Sequence, residues 1–210
     1  MDMHYHGPTY DIRRPLLGVT GRKGHGKDTV AQILRTRFLW TPVAFADELK
    51  RIAKNLWDLS EEQVNGTLAD KERVDPRWGV APRHLLQTLG TEAGRNAHPE
   101  TWIRYLLRTL ETWERQDWEQ GIADLRTGFV VSDVRFPNEA SAVRRHGGTV
   151  WRVERPGYGS GSYEAHASET SIDLVVPDRI LVNDGSIAGL EAKIEAALSC
   201  TRETTLLDAG

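Results

Sequence analysis

The stretch "LLGVTGRKGHGKDTV", residues 16–30, decides how the rest of the chain is read. Its first five residues, "LLGVT", form a short apolar run of the kind a buried parallel strand requires. After the glycines, Val30, Ile33, Leu34 and Phe38 recur at helical spacing. Between strand and helix, Gly21, Gly24 and Gly26 let the backbone curl without side-chain clashes, and Lys27 stands at the end of the turn. Such a turn points several backbone N–H groups at one spot, where the helix dipole adds partial positive charge. Phosphate is the natural occupant. The order is Gly, four residues, Gly, Lys, as in a phosphate-binding loop, and the dinucleotide fingerprint G-x-G-x-x-G is not met. One residue departs from the usual loop. Asp28 follows the lysine where a hydroxyl normally stands, and the hydroxyl comes one place late, at Thr29.

Working outward, further strands are expected in "TPVAFA" (41–46), "GFVVSDVRF" (128–136), "TVWRVERP" (149–156) and "DRILVND" (178–184). Helices are expected over 47–59, in "SEEQV" (60–64), over 83–95, and over 99–113 with Trp102, Leu106, Leu110 and Trp113 as one stripe. Two more follow: 138–147, closed by Gly147 and Gly148, and 186–199, with Ile187, Leu190, Ile194 and Leu198 on one face. Residues 60–82 read as mostly polar and irregular, and the tail beyond Cys200 shows no pattern. Strands alternating with helices imply a parallel sheet covered on both faces. The helical stretch 47–113 is too long for one crossover and implies a lobe beside the sheet. The Gly/Ser-rich segment 157–170 is a second, smaller excursion.

Composition bounds the function. At 210 residues the chain fits one domain with a sizeable core. A net charge of -3, from 27 basic and 30 acidic residues, gives no support to extended nucleic-acid binding. The single cysteine, Cys200, excludes an internal disulfide framework and fits a reducing cytoplasm. No apolar run approaches the roughly 20 residues a membrane helix needs. The N-terminus "MDMHYHGPTYDIRRP" lacks the apolar centre of a signal peptide and reads as a loose arm, in which His4 and His6 belong to a tail more readily than to a metal site.

The metal reading of the loop stays open between two residues. A carboxylate is a hard oxygen ligand suited to Mg2+, so Asp28 can take the ion directly or through water. Alternatively Asp28 caps the helix and Thr29 serves the metal. "FVVSD" supplies the other half of a nucleotide site: an apolar strand ending in Asp133, a second carboxylate that would orient Mg2+ through waters.

Together, "GRKGHGKDT" and "VVSDVRFPNEA" resemble the deoxynucleoside monophosphate kinases of tailed bacteriophages and related P-loop kinases. "AFADELK", "LLQTLGTEAGR", "PETW", "GGTVWRVERP" and "HASET" keep the family's order from about residue 16 to 185. The resemblance makes Asp28 an adaptation, since an Asp after the loop lysine is characteristic of that family. It implies an α/β fold with a five-stranded parallel sheet and helices on both faces, formed by residues 15–46 and 128–200. It adds a helical monophosphate-binding lobe at about 47–113 and a small lid at about 157–170, all in one domain. The implied reaction is transfer of the terminal phosphate of ATP to a deoxynucleoside monophosphate, with Mg2+, in the cytoplasm (the host's, for a phage gene). Whether the chain is a homo-oligomer is left open.

The acceptor phosphate is already an anion, so such a reaction needs positioning and charge neutralisation, not a general base. Many basic residues stand in or beside the matched motifs, as this requires. The resemblance assigns the ATP phosphates to Gly21, Arg22, Lys23, Gly24, His25, Gly26, Lys27, Asp28 and Thr29. Lys27 neutralises the phosphoryl group in flight. Lys23 also reaches toward the acceptor, and Arg135 grips the acceptor phosphate. Asp47, Lys50, Arg83, Gln87 and Arg95 are placed in the monophosphate pocket, with a solvated surface as the alternative for the last three. Trp102 either stacks on a base or fills the core. Arg152 and Arg155 clamp ATP, and Asn183 touches the adenine. His166 matches the pattern without a derivable task. Rival readings are another small P-loop kinase, of the phosphomevalonate or dephospho-coenzyme A type, a P-loop ATPase, and an inactive binding protein. The ATPase reading wants a water-activating Glu or Gln after Asp133, and Val134 stands there.

Overall fold

Every residue of β1 (Leu16–Thr20) is buried, as its apolar run requires. It is the middle strand of a five-stranded parallel sheet. The other strands are β2 (Trp40–Val43), β3 (Gly128–Val131), β4 (Thr149–Glu154) and β5 (Arg179–Val182), in the spatial order β2-β3-β1-β4-β5. The structure is a computed structural model and describes residues 9–158 and 171–207. His4, His6, His166 and the greater part of the expected lid, residues 159–170, lie outside the described residues.

Two compact units make up the chain. One comprises Arg13–Val43 and the residues from Asp117 onward; the other comprises Ala44–Gln116 with the described residues up to Ile12. In the first unit the sheet alternates its side chains between two layers. Leu17, Val19, Val130, Trp151, Val153 and Leu181 pack on one face against Val30, Ile33 and Leu34 of α1 (Lys27–Phe38). Leu190, Ile194 and Ala197 of the C-terminal helix Ile187–Leu207 join that layer. On the opposite face lies the helix Pro137–Arg145. A β-carbon on Gly18 would stand 3.0 Å from Val134 and 3.4 Å from Val143. Gly147, at φ +71°, and Gly148 end that helix, with the Gly148 N–H donating to the Val143 carbonyl at 3.0 Å.

The second unit is helical. It holds α2 (Ala46–Trp57), α3 (Glu61–Asn65), α4 (Leu68–Glu72), α5 (Pro82–Gln87), a π-helical stretch Thr88–Arg95, and most of α6 (Thr101–Glu119). The helices Pro137–Arg145 and Ile187–Leu207 of the first unit are then α7 and α8.

Several boundaries differ from the sequence expectation. The second strand ends at Val43, and the residues up to Ala46 turn into α2. The third ends at Val131, and Ser132 and Asp133 form a turn. Trp113 is 38% exposed and is not part of the buried stripe, which continues instead through Ile103 and Leu107. Ile187, at the first turn of α8, is 67% exposed. α6 runs on to Glu119, past the expected end at Trp113, and α8 runs on to Leu207, into the tail that showed no pattern.

The expected helix 83–95 is α-helical only to Gln87. Beyond it the Trp102 indole N–H donates to the Gly90 carbonyl at 2.9 Å, and the Thr101 hydroxyl donates to the Gly94 carbonyl at 3.0 Å. These side chains take carbonyls from the helical ladder, and the looser π winding accommodates them. Gly94 is required there, because a β-carbon would lie 2.5 Å from the Trp102 indole nitrogen.

The polar stretch 60–82 is ordered around one carboxylate. Ser60 and Thr67 cap α3 and α4 with reciprocal capping boxes. Asp75, 3% exposed, accepts from the Gln63 amide at 2.8 Å, from the Arg77 guanidinium at 2.7 Å and from the Arg77 N–H at 2.9 Å. The Arg77 guanidinium, then Gln63 and the Arg77 N–H, hold the Asp75 carboxyl well below the usual carboxylate range. A depressed folded-state pKa adds stability that is fully present above the unfolded value, about 3.9, and is lost as pH falls through the folded value. Asp75→Asn is therefore expected to lower the melting temperature by the same amount from pH 7 to pH 5. The gap to wild type should narrow below about pH 4. Thermal melts across that range check both halves of the expectation.

Candidate active site

The glycine turn after β1 has the backbone its sequence demands. Gly21, Gly24 and Gly26 sit at φ +140°, +81° and +102°, values costly for any residue with a β-carbon. Gly26 is also the N-cap of α1, so the first amides of the helix are left to a ligand, with no side-chain cap bonded to them. The Lys27 ammonium folds back over the turn and donates to the carbonyls of Gly21 at 2.7 Å and Arg22 at 3.0 Å. Asp28 is exposed and has no hydrogen-bond or ion-pair partner among the described residues. Thr29 is half-buried at the next position, and Lys23 is exposed at the rim.

β3 carries the second carboxylate to the same end of the sheet. It runs parallel to β1 with Gly18 opposite Val131, and the Val134 N–H donates to the Val19 carbonyl at 3.1 Å. Beyond Val131 that register slips by one residue, because the chain turns through Ser132 and Asp133, and Asp133 stands in this turn just past the strand end. Val134 is fully buried against Gly18, so the residue after this carboxylate faces the core and not the site. Arg135 follows on a segment pinned by Glu139, whose carboxylate accepts the N–H groups of Arg135 at 2.7 Å and Phe136 at 3.0 Å. Glu139 is 1% exposed. Its position three residues after Phe136, at the head of a helix, is the sequence signal that reveals this role.

β4 and β5 brace the turn from the other side. The Asn183 amide donates to the His25 carbonyl at 3.0 Å, and a β-carbon on Gly21 would stand 2.5 Å from the Val153 carbonyl oxygen. Asn183 thus holds the loop directly, a contact that adenine binding alone would not require. Arg22 pairs with Asp173 at 2.9 Å on the surface. The Arg155 guanidinium lies 4.7 Å from the centre of the Tyr158 ring. Arg152 departs from its expected place as an ATP clamp. Its guanidinium is directed to the carbonyls of Ile172, at 3.2 Å, and Val175. Arg152 is in register with Thr20, which puts its side chain on the α7 face of the sheet and away from the turn's amides.

The remaining expected residues lie in the helical unit. Asp47 is occupied at the head of α2, its carboxylate accepting the Ala44 N–H at 2.8 Å. Lys50 lies on α2 and is half-buried. Arg83 and Gln87 share α5, and Arg83 makes a surface ion pair with Glu72 at 3.1 Å. Arg95 ends the π-helical stretch. Of the two alternatives for Trp102, the structure supports the interior one: it is 8% exposed, packed on Gly94 and bonded through its N–H to the Gly90 carbonyl.

A family model described as deoxynucleotide monophosphate kinase matches residues 72–194. A protein of Acanthamoeba polyphaga mimivirus assigned as a deoxynucleotide monophosphate kinase is 35% identical over 189 residues, 88% of this chain and 95% of that protein. The chain belongs to the deoxynucleotide monophosphate kinase family. The deoxynucleotide monophosphate kinase of Enterobacteria phage T4 is 29% identical, over 67% of this chain and 56% of the phage protein. The deoxynucleoside-5'-monophosphate kinase of Escherichia phage T5 is 30% identical, over 65% and 56%. The chain therefore spans little more than half the length of these phage kinases. A solved dephospho-CoA kinase from Campylobacter jejuni is 17% identical, covers 88% of this chain and 95% of that one, and superposes with a TM-score of 0.43. At that distance, shared layering says nothing of the reaction. Among the described residues no helix is long and apolar enough to cross a membrane.

Proposed function

We propose that the chain transfers the terminal phosphate of ATP to a deoxynucleoside 5'-monophosphate, giving the diphosphate. The observation that carries this reading is the glycine turn with Lys27 over it and Asp133 just past the end of the adjacent strand, in a chain of this family. The turn's amides and Lys27 would receive the donor phosphates, with Lys27 exchanging its two loop carbonyls for phosphate oxygens. Arg135, fixed in backbone by Glu139, would hold the acceptor phosphate bidentately. No group has to remove a proton, so charge neutralisation and alignment carry the rate.

Asp28 and Asp133, with Thr29, would be the oxygen donors for Mg2+. Two carboxylates without a closed protein cage suit this ion, which usually keeps its waters and binds through one or two carboxylates and the substrate's phosphates. When bound it would neutralise phosphate charge. The buried Val134 disfavours an ATPase, since no side chain after Asp133 can orient a water. Lys50, Arg83, Gln87 and Arg95 remain the proposed monophosphate contacts, and the segment 157–170 the proposed lid. Incubation with ATP, Mg2+ and each of dAMP, dGMP, dTMP, dCMP and the ribonucleotides, with products separated by chromatography, tests the reading. A diphosphate from at least one deoxynucleotide is expected. Its absence with all of them would overturn the proposal.

A further inference from the structure

The phosphate-binding turn is covered by a residue outside it. The ring of Tyr158 rests on Gly24, where a β-carbon would come within 2.4 Å of one ring carbon and 3.1 Å of the next. The same residue holds the neighbouring peptide. His25 Nε2 lies 3.2 Å from the Tyr158 carbonyl, and His25 Nδ1 lies 3.4 Å from the Arg155 N–H. Nδ1 also lies 3.3 Å from the Val153 carbonyl, so with the proton on Nε2 the ring donates to Tyr158 and accepts from Arg155, and with it on Nδ1 the ring donates to Val153. The Tyr158 N–H closes the turn by donating to the Arg155 carbonyl at 3.2 Å. Gly24 and His25 are thus fixed by a ring contact, by both nitrogens of one imidazole, and by the Asn183 bond to the His25 carbonyl.

We propose that Tyr158 is a positioning residue for the donor-phosphate turn. It acts through Gly24 and His25, holding their peptides so that the turn's N–H groups converge before nucleotide arrives. Glycine in the left-handed region is the most freely moving residue type, so an unbraced turn at Gly24 would sample many conformations. Bracing removes that ordering cost from binding. The ring makes the contact, and the phenol hydroxyl has no partner among the described residues, so phenylalanine should serve as well. The proposal rests on the reading of this turn as the ATP site and needs no acceptor to be tested.

Titration calorimetry of MgATP into wild type, Tyr158→Ala and Tyr158→Phe provides the test, alongside steady-state kinetics. Tyr158→Ala is expected to raise the Kd and the KM for ATP about tenfold, with kcat and the KM for the monophosphate little changed. Tyr158→Phe is expected to match wild type. An unchanged Kd in Tyr158→Ala, or a phenylalanine variant as weak as the alanine one, would overturn the proposal. Tyr158→Leu, retaining bulk over Gly24, should fall between the two and covers a failure of the alanine variant to fold. Wild type that binds MgATP yet phosphorylates no monophosphate would remove the proposed function and leave this test readable. Wild type that binds no MgATP would overturn both.

Discussion

Lys27→Ala is expected to lower turnover by about two to three orders of magnitude. The lysine lies over the turn, and charge stabilisation is the main contribution a protein makes to phosphoryl transfer between two anions. Its ammonium bonds to the carbonyls of Gly21 and Arg22 in its own loop, at 2.7 and 3.0 Å. The Arg22 bond is exposed to solvent, so water can replace the ammonium there and the fold should survive. The melting temperature is therefore expected to stay close to wild type while turnover collapses. Rates at saturating ATP and monophosphate, measured beside a thermal melt, separate the two effects. Near-normal turnover in Lys27→Ala would be incompatible with the proposed site.

Asp28→Asn is expected to require roughly ten times more Mg2+ for half-maximal rate, in the range by which lost metal contacts weaken affinity. The capping alternative is weak on structural grounds. Gly26 is the N-cap of α1, no side chain caps it, and Asp28 stands two places further on, exposed and unpartnered among the described residues. Asparagine keeps the shape and removes the charge. Its only structural cost is the favourable carboxylate–dipole interaction in the first turn, at most about 1 kcal/mol. A small drop in melting temperature with a large shift in the Mg2+ curve is the expected pattern. Superimposable Mg2+ curves for wild type and Asp28→Asn would move the metal role to Thr29, and Thr29→Val would then show the shift instead.

Much of the site was legible because its parts are local. A five-residue apolar run, three glycines at set spacing, a lysine and a helical apolar pattern lie within residues 16–38, and each follows from short-range backbone and side-chain preferences. The same holds for the Asp at the end of an apolar strand, for the Gly147–Gly148 helix stop and for the short helix in "SEEQV". The extension of α6 was not legible, because its reason lies far away in the chain. Residues 114–128 are mostly polar, so the local apolar pattern ends at Trp113. Yet Asp117 is buried against Arg14 in an ion pair of 2.6 Å, with Arg126 at 3.7 Å. A burial partner 103 positions away leaves no trace in a local pattern.

The sequence by itself determined that a strand, a glycine turn and a helix would follow one another with Lys27 and Asp28 at the head of the helix, because that geometry is built from bonds between near neighbours. Only the tertiary structure decided which strand lies beside the turn. The order β2-β3-β1-β4-β5 sets β3, the strand that precedes Asp133, beside β1 and brings Asn183 to the His25 carbonyl. It also decided between the alternatives that the sequence left for single side chains. Trp102 is an interior residue because Gly94 leaves room for its ring and Gly90 offers a carbonyl. Arg152 is turned from the phosphates because its register with Thr20 commits it to the α7 face. Tyr158 carried no signal at all, since a tyrosine in a Gly/Ser-rich stretch is unremarkable until the parallel pairing of β1 and β4 lays it on Gly24. Such contacts depend on strand pairing between distant segments, and the periodicity of one segment cannot encode which other segment it meets.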